Sequence, residues 1–117
     1  MLNQFSRTEL LFGKKAMEKL ARSRVAVFGI GGVGGYAVEA LVRSGIGAID
    51  LIDNDKVSLT NLNRQIIATR KTIGQYKVDV MMERIKEINP DCQVKVYKCF
   101  YLPETKELFT FQEYDYI

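Results

Sequence analysis

The 117-residue chain contains no histidine, which removes the commonest general base and the commonest transition-metal ligand from any chemistry it performs. Cysteine is scarce too. Cys92 and Cys99 fit neither a Cys-x-x-Cys nor a zinc-ligand spacing, so both read as reduced thiols packed beside a strand, not as nucleophiles or a structural metal site. No apolar run approaches the ~20 residues of a membrane span. The N-terminal "MLNQFSRTELLFGKK" lacks the charged start, apolar middle and small-residue cleavage site of a secretion signal, so the expectation is a cytoplasmic protein with no membrane partner. Charge of one sign is also limited. Seventeen basic residues against 14 acidic give +3 with no long basic block, which permits an anionic partner without arguing for one. Internal repeats and low-complexity segments are missing. What is present, 47% apolar residues, suffices for the core of one small domain or part of a larger one.

Patterning along the chain predicts an α/β fold. "SRTE" (Ser6 to Glu9) has the Ser-x-x-Glu spacing of a capping box and predicts a helical arm running to about Arg22, broken near Gly13. "RVAVFG" (Arg24 to Gly29) and "AIDLID" (Ala48 to Asp53) are short, β-branched and apolar on both faces, as buried parallel strands are. Between them the spacing predicts a helix of about twelve residues with Val33, Ala37 and Leu41 on one side, ended by Gly45 and Gly47. Val78, Met81 or Met82, Ile85 and Ile88 mark a second helix that Asn89-Pro90 stops. "CQVKVYKCF" reads as a third strand, "PETKELF" as a short helix and "YDYI" as the opening of a fourth strand. Phe100, Tyr101 and the aromatics of "FTFQEYDY" alternate with apolar positions, and read as core and interface packing in preference to base-stacking platforms. The expected architecture is a Rossmann-like, doubly wound, mainly parallel sheet over residues 24–117, preceded by a helical arm over 1–23. A chain that stops on entering a strand is expected to be the N-terminal portion of a longer protein.

Gly29-Ile30-Gly31-Gly32-Val33-Gly34 follows the first strand and opens a helix, matching Gly-x-Gly-x-x-Gly in the context that motif needs. Its glycines let the backbone turn sharply and approach phosphates, while the helix start supplies free amides and positive dipole. No Gly-Lys-Ser/Thr follows, so a triphosphatase phosphate loop is excluded. Asp53, ending the second strand 24 positions after Gly29, stands where an acid takes ribose hydroxyls. Without a ligand the same glycines are a tight turn and Asp53 a loop cap; their joint spacing argues for an adenine nucleotide, with NAD and ATP both open. The next segment separates the two. Asn61, Asn63, Arg64 and Lys77 fall just past this point, and Arg with Lys suits a triphosphate and its developing charge, whereas an oxidoreductase leaves them without work. Lys77 also opposes its own helix dipole, by about 0.3–1 kcal/mol.

At these residues the sequence resembles the ThiF, MoeB and HesA superfamily of ATP-dependent carboxylate adenylyltransferases, which includes the ubiquitin-activating enzymes. The likeness rests on the Gly-x-Gly-Gly-x-Gly loop, on "LIDNDKVSLTNLNRQ" and on the Gly-x-x-Lys of Gly74 to Lys77. It implies a nucleotide site of Gly29, Gly31, Gly32, Gly34, Asp53, Asn61, Arg64, Gln65 and Lys77, with Gly32 at the phosphates or ribose and Asp53 on the ribose. Asn61, Arg64 and Lys77 are then expected to hold the β- and γ-phosphates and to stabilise the departing pyrophosphate. Arg7 matches an N-terminal arginine that reaches into the partner subunit's ATP site, which implies a symmetric homodimer. Mg²⁺ is implied with ATP, its aspartate expected beyond Ile117; within this chain Asp55 reads as loop support and Asp115 as a strand residue. Inside the superfamily "NQFSRTELLFG", "NRQIIATR" and "ERIKEINPDCQVKV" are most similar to the tRNA threonylcarbamoyladenosine dehydratases. That group implies adenylation of a threonylcarbamoyl carboxylate on a tRNA adenosine, followed by cyclisation with net loss of water. The competing substrate is the C-terminal glycine of a ubiquitin-like sulfur carrier, with a carrier or cysteine desulfurase system as partner. Two other classes remain, an NAD-dependent oxidoreductase domain and a non-catalytic dimerising module. Charge at Arg64, Arg70 and Lys71 does not by itself establish RNA binding, so tRNA as a partner rests on the resemblance.

Overall fold

Side-chain alternation along three short strands sets the architecture of the computed structural model, which describes residues 3–117. The strands are β1 (Arg24–Phe28), β2 (Ala48–Ile52) and β3 (Gln93–Tyr97), paired in parallel in the order β1-β2-β3. Arg24 pairs with Ala48, and Ala48 with Gln93. Parallel neighbours need long crossovers, and here two helices supply them. The chain runs α1 (Ser6–Phe12), α2 (Lys14–Ala21), β1, α3 (Gly34–Ser44), β2, α4 (Lys77–Ile88), β3. Val25, Ile49 and Leu51, with half-buried Val27, Val94 and Val96, face one way and meet Val38 and Val42 of α3 and Val78, Met81 and Ile85 of α4. On the opposite face Ala26, Phe28, Ile52 and Tyr97 are covered by Phe109 and Tyr114.

Beyond β1, on the side away from β2, the chain returns as a single parallel bridge between Val25 and Tyr116, with Ala26 N–H donating to the Tyr116 carbonyl at 3.1 Å. The strand order therefore reverses at β1, and a crevice outside the carboxyl ends of the strands at such a reversal is where α/β sheets bind ligands. A second feature holds this return. Buried Asp50 on β2 accepts both the Nε and Nη2 of Arg24, at 3.1 and 2.7 Å, and the Tyr114 hydroxyl at 2.7 Å.

Four local expectations change. Ser6 lies inside α1 instead of capping it: its Oγ accepts the Asn3 N–H at 2.8 Å, the cap position is Phe5, and no capping box forms. The inward face of α3 is Gly35, Val38 and Val42, with Leu41 half-buried, while Val33 is 86% exposed and Ala37 exposed. The glycine loop delays the helix to Gly34, which rotates the buried stripe by one position. "PETKELF" forms turns with a 3-10 segment, Lys106–Leu108, in place of a helix, because Thr105 Oγ1 accepts the Leu102 N–H and donates to the Phe100 carbonyl, closing a turn there. "YDYI" makes only the Tyr116 bridge, not a ladder. The helical break at Gly13 is present, with φ of +87°. Both α-helical crossovers lie on one face, and the aromatic cluster of Phe28, Tyr97, Tyr101 and Phe109, with ring centroids 5.0 to 6.1 Å apart, packs on the other.

Candidate nucleotide-binding site

The turn from β1 into α3 shows two kinds of glycine. Gly29 has φ of +96°, and a Cβ on Gly34 would lie 1.7 Å from the Gly29 carbonyl oxygen, so the chain's own geometry demands both. Gly31 and Gly32 are different. Neither has a left-handed backbone, and a Cβ on either would meet only the tip of Gln65 or the stem of Arg64 at an ordinary 3.8 Å. Their bareness serves nothing inside the chain and leaves a cradle above the helix start. Among the described residues the N–H groups of Gly31, Gly32, Val33 and Gly34 donate no hydrogen bond. Four free amides at the positive end of an eleven-residue helix form an anion site.

Asp53 locks this turn to β2. It is only 5% exposed, with Oδ2 accepting the Ile30 N–H at 2.7 Å and Oδ1 accepting the Asp55 N–H at 2.8 Å. A carboxylate offers about four lone-pair sites, so two remain for hydroxyls. From there the chain enters a 3-10 turn, Leu59–Asn63, opened by a capping box in which the buried Asn61 Oδ1 accepts the Ser58 N–H at 2.8 Å. That turn delivers Arg64 and Gln65 to the cradle. Arg64 donates from Nη1 to the Thr60 carbonyl and to Asn63 Oδ1, and meets no carboxylate among the described residues. Gln65 is buried, and its Oε1 is enclosed without any hydrogen-bond partner. An unpaired buried amide oxygen costs about 1–3 kcal/mol, which a ligand group can recover.

Lys77 arrives by another route. Residues 55–57 and 74–77 pair across a small antiparallel bridge, with Val57 N–H donating to the Gln75 carbonyl at 2.8 Å and Lys77 N–H to the Asp55 carbonyl at 3.0 Å. Lys77 thus begins α4 beside Asp55, only 6% exposed and with no acidic side-chain partner among the described residues. An ammonium at the end of a largely buried stem, with no counter-charge beside it, is suited to an incoming phosphate. The fold brings Gly31, Gly32, Asp53, Asn61, Arg64, Gln65 and Lys77 to one end of the sheet. It does not bring Arg7 there. The arm sits at the other end, where Gln4 donates to the Ile88 carbonyl, Phe5 and Met17 lie against Gly45, and Gly47 N–H donates to the Leu20 carbonyl. The length of α3, about 16 Å, separates the two ends.

Other clusters are spent on structure. A concavity of about 430 Å³ near the arm is lined by Gln4, Arg43, Arg84, Glu87 and Ile88, but both guanidiniums are already held by Glu39. Burial pushes the Cys92 thiol up to about 11 and raises Cys99 as well, which disfavours the thiolate at each. Burial of Gln65 and Lys77 was not readable from spacing, since polar side chains beside an apolar run are ordinarily exposed; the one available signal was the cation at a helix start. No helix among the described residues is long and apolar enough to cross a membrane.

A ThiF family model matches residues 5–117. The chain is 54% identical over all 117 residues to tRNA threonylcarbamoyladenosine dehydratase of Bacillus subtilis (strain 168), of which it covers 46%. The crystal structure of the Escherichia coli tRNA N6-threonylcarbamoyladenosine dehydratase, TcdA, superposes with a TM-score of 0.93 at 48% identity, covering 97% of this chain and 47% of that one. The same enzyme in complex with ATP superposes at 0.85, with 51% identity over 87% of this chain and 42% of that one. A probable molybdopterin-synthase adenylyltransferase of Gracilaria tenuistipitata var. liui is 38% identical over 73% of this chain and 24% of its own length. The chain therefore spans less than half the length of the relatives it matches, and these likenesses give an NAD-dependent oxidoreductase no support.

Proposed function

This chain belongs to the ThiF family, and from that premise we propose that it forms the ATP-binding part of a carboxylate-adenylating enzyme whose substrate is the threonylcarbamoyl group of a tRNA adenosine. One observation carries the reading: at one end of the sheet, four free amides over bare Gly31 and Gly32 share the site with two cations without carboxylate partners, Arg64, whose stem lies against Gly32, and the largely buried Lys77 at the start of α4. The likeness to an ATP-bound tRNA dehydratase supports the same assignment.

In this mechanism the amides of Gly31 to Gly34 hold the triphosphate, Asp53 keeps the loop in place and takes a ribose hydroxyl, and Gln65 meets the nucleotide with its free amide oxygen. A carboxylate oxygen of the substrate attacks the α-phosphorus, the α–β bridging bond breaks, and pyrophosphate leaves. Arg64 and Lys77 offset the charge that grows on the bridging oxygen and Asn61 donates a hydrogen bond to the departing phosphates, a task of positioning and electrostatics that needs no histidine. A nucleophilic atom of the same substrate group then attacks the activated carbonyl carbon and AMP departs with the oxygen, so the net change is loss of water. Mg²⁺ enters with ATP and offsets part of the phosphate charge when bound. No cluster of three acidic or cysteine side chains exists for it among the described residues, and every role above runs through this chain's own groups. Arg7 is assigned to the ATP site of a second copy, in a homodimer, because its arm lies at the far end of its own sheet. Residues 1–23 are then the arm and 24–117 the nucleotide-binding unit, working in the cytoplasm where a tRNA substrate is found.

Calorimetry with Mg-ATP and with NAD⁺, on this chain and on Arg64→Ala, tests the reading. Expected are ATP binding, no NAD⁺ binding, and weakened ATP binding in the variant; NAD⁺ preference overturns it. In turnover Arg64→Ala is expected to lose about 10²–10³ in rate, or about 2.7–4 kcal/mol of barrier, and an unchanged rate excludes the role. The second reading, the same chemistry on a ubiquitin-like sulfur carrier, draws on the molybdopterin-synthase adenylyltransferase likeness. ATP-to-pyrophosphate exchange that depends on a carrier protein and not on tRNA selects it, together with a carrier or cysteine desulfurase partner.

A further inference from the structure

The chain's entire net charge lies in one segment. Residues 53–77 hold five basic and two acidic side chains, while the rest of the molecule holds twelve of each. Arg64 and Lys77 are accounted for by the nucleotide; Lys56, Arg70 and Lys71 are not. All three are exposed, and none forms an ion pair among the described residues, although most of the ion pairs elsewhere engage at least one half-buried or buried partner. The fold collects them. The Lys71 carbonyl accepts the Gln75 side-chain amide at 3.1 Å, the Gln75 carbonyl accepts Val57 N–H at 2.8 Å, and Val57 follows Lys56. Arg70 neighbours Lys71 on the turn that Thr72 closes through its hydroxyl. Lys56 is held at the strip's inner end by the Tyr76 ring, its ammonium 5.0 Å from the centroid, with Lys98 on the same ring at 4.7 Å. Asp79 offsets Lys98 at 3.0 Å but leaves Lys56 uncompensated. Tyr76 immediately precedes Lys77, which places the strip at the rim of the nucleotide site.

We infer that Lys56, Arg70 and Lys71 form a docking strip for the phosphodiester backbone of the RNA substrate, holding it beside the nucleotide so that its carboxylate reaches the α-phosphate. The inference rests on the tRNA reading above. Three exposed cations spaced along a rim suit a repeating anion read by charge and not by base edges. Arg70 and Lys71, on an exposed turn and in no ion pair among the described residues, keep the freedom to follow a backbone.

The test compares the full chain with the triple variant Lys56→Gln, Arg70→Gln, Lys71→Gln, measuring tRNA affinity by fluorescence anisotropy across a salt series, and Mg-ATP affinity by calorimetry. Each lost phosphate contact removes about 0.7–0.9 from the slope of log affinity against log salt, so the triple variant is expected to lose about 2–3 from the slope and on the order of 100-fold in affinity at 0.1 M salt. ATP affinity is expected to stay within twofold. Unchanged RNA affinity and slope in a variant that still binds ATP overturn the strip and leave the adenylation reading standing. A protein that binds ATP and a carrier protein but no RNA overturns both the strip and the tRNA reading. Loss of ATP and RNA binding together in the variant assigns these side chains to folding or to the nucleotide, and overturns the strip.

Discussion

Single residues at the glycine turn separate structural need from ligand need. Gly34→Ala must displace the Gly29 carbonyl, because its Cβ has 1.7 Å of room. Overpacking of this kind costs about 1–3 kcal/mol, so urea unfolding is expected to show a lowered midpoint. Gly32→Ala has 3.8 Å of room and a permissive backbone, so its stability is expected within about 0.5 kcal/mol of the original. Its ATP affinity is nonetheless expected to fall at least tenfold, since the methyl group fills the cradle. Normal ATP binding by the Gly32→Ala variant shows that nothing approaches Gly32 that closely. At this scale spacing singled out the glycines, Asp53, Arg64 and Lys77 as candidates, because each is a residue type whose chemistry depends on few neighbours. Gln65 was legible only as part of a family signature; that its oxygen is enclosed and unpaired depends on the walls around it.

Two ion clusters tie elements together, and each has a measurable consequence. Glu39 of α3 takes Arg84 of α4 at 2.9 Å and Arg43 of its own helix at 3.0 Å, and the Arg84 hydrogen bond, ahead of the smaller contribution from Arg43, outweighs burial and holds its carboxyl below the ordinary range. The folded value lies below the unfolded one, about 4.3, so this stabilisation is complete above that pH and disappears as pH falls through the lower folded value. Glu39→Gln is expected to flatten the acid limb of the stability curve, checked by urea titrations between about pH 3 and 6. Arg84 is about one-third exposed, and solvent screening keeps the effect modest. The second cluster pins the return segment to β1. Tyr114→Phe removes one donor from buried Asp50 and is expected to cost about 1–3 kcal/mol in unfolding. Equal stability in that variant detaches the segment from the fold's energetics. Helix and strand positions were largely readable from periodicity, as Val78, Met81 and Ile85 illustrate. The face of α3 was not, because the loop that binds the ligand also sets where the helix begins.

At the scale of the molecule the arm stands apart. Leu10, Leu11 and Phe12 are 86%, 82% and 60% exposed, more apolar surface than one short helix keeps in water without a partner. In the proposed homodimer that face is buried, and Leu11→Glu is expected to shift sedimentation from dimer to monomer with the midpoint of unfolding nearly unchanged. If Arg7 acts across the dimer, mixing Arg7→Ala with Arg64→Ala protomers restores part of the activity that each lacks, as one site regains both groups. Composition and local pattern determined the class of this protein: no histidine, three short strands, two crossover helices and a bare turn ahead of a helix, all properties of neighbouring residues. Tertiary structure decided what became of the charges. The stem of Lys77 is enclosed, Gln65 is left without a partner, Lys56 gathers near Arg70 and Lys71, and Arg7 is carried about a helix length from the site, because burial and distance between remote segments depend on how the crossovers close and not on sequence spacing.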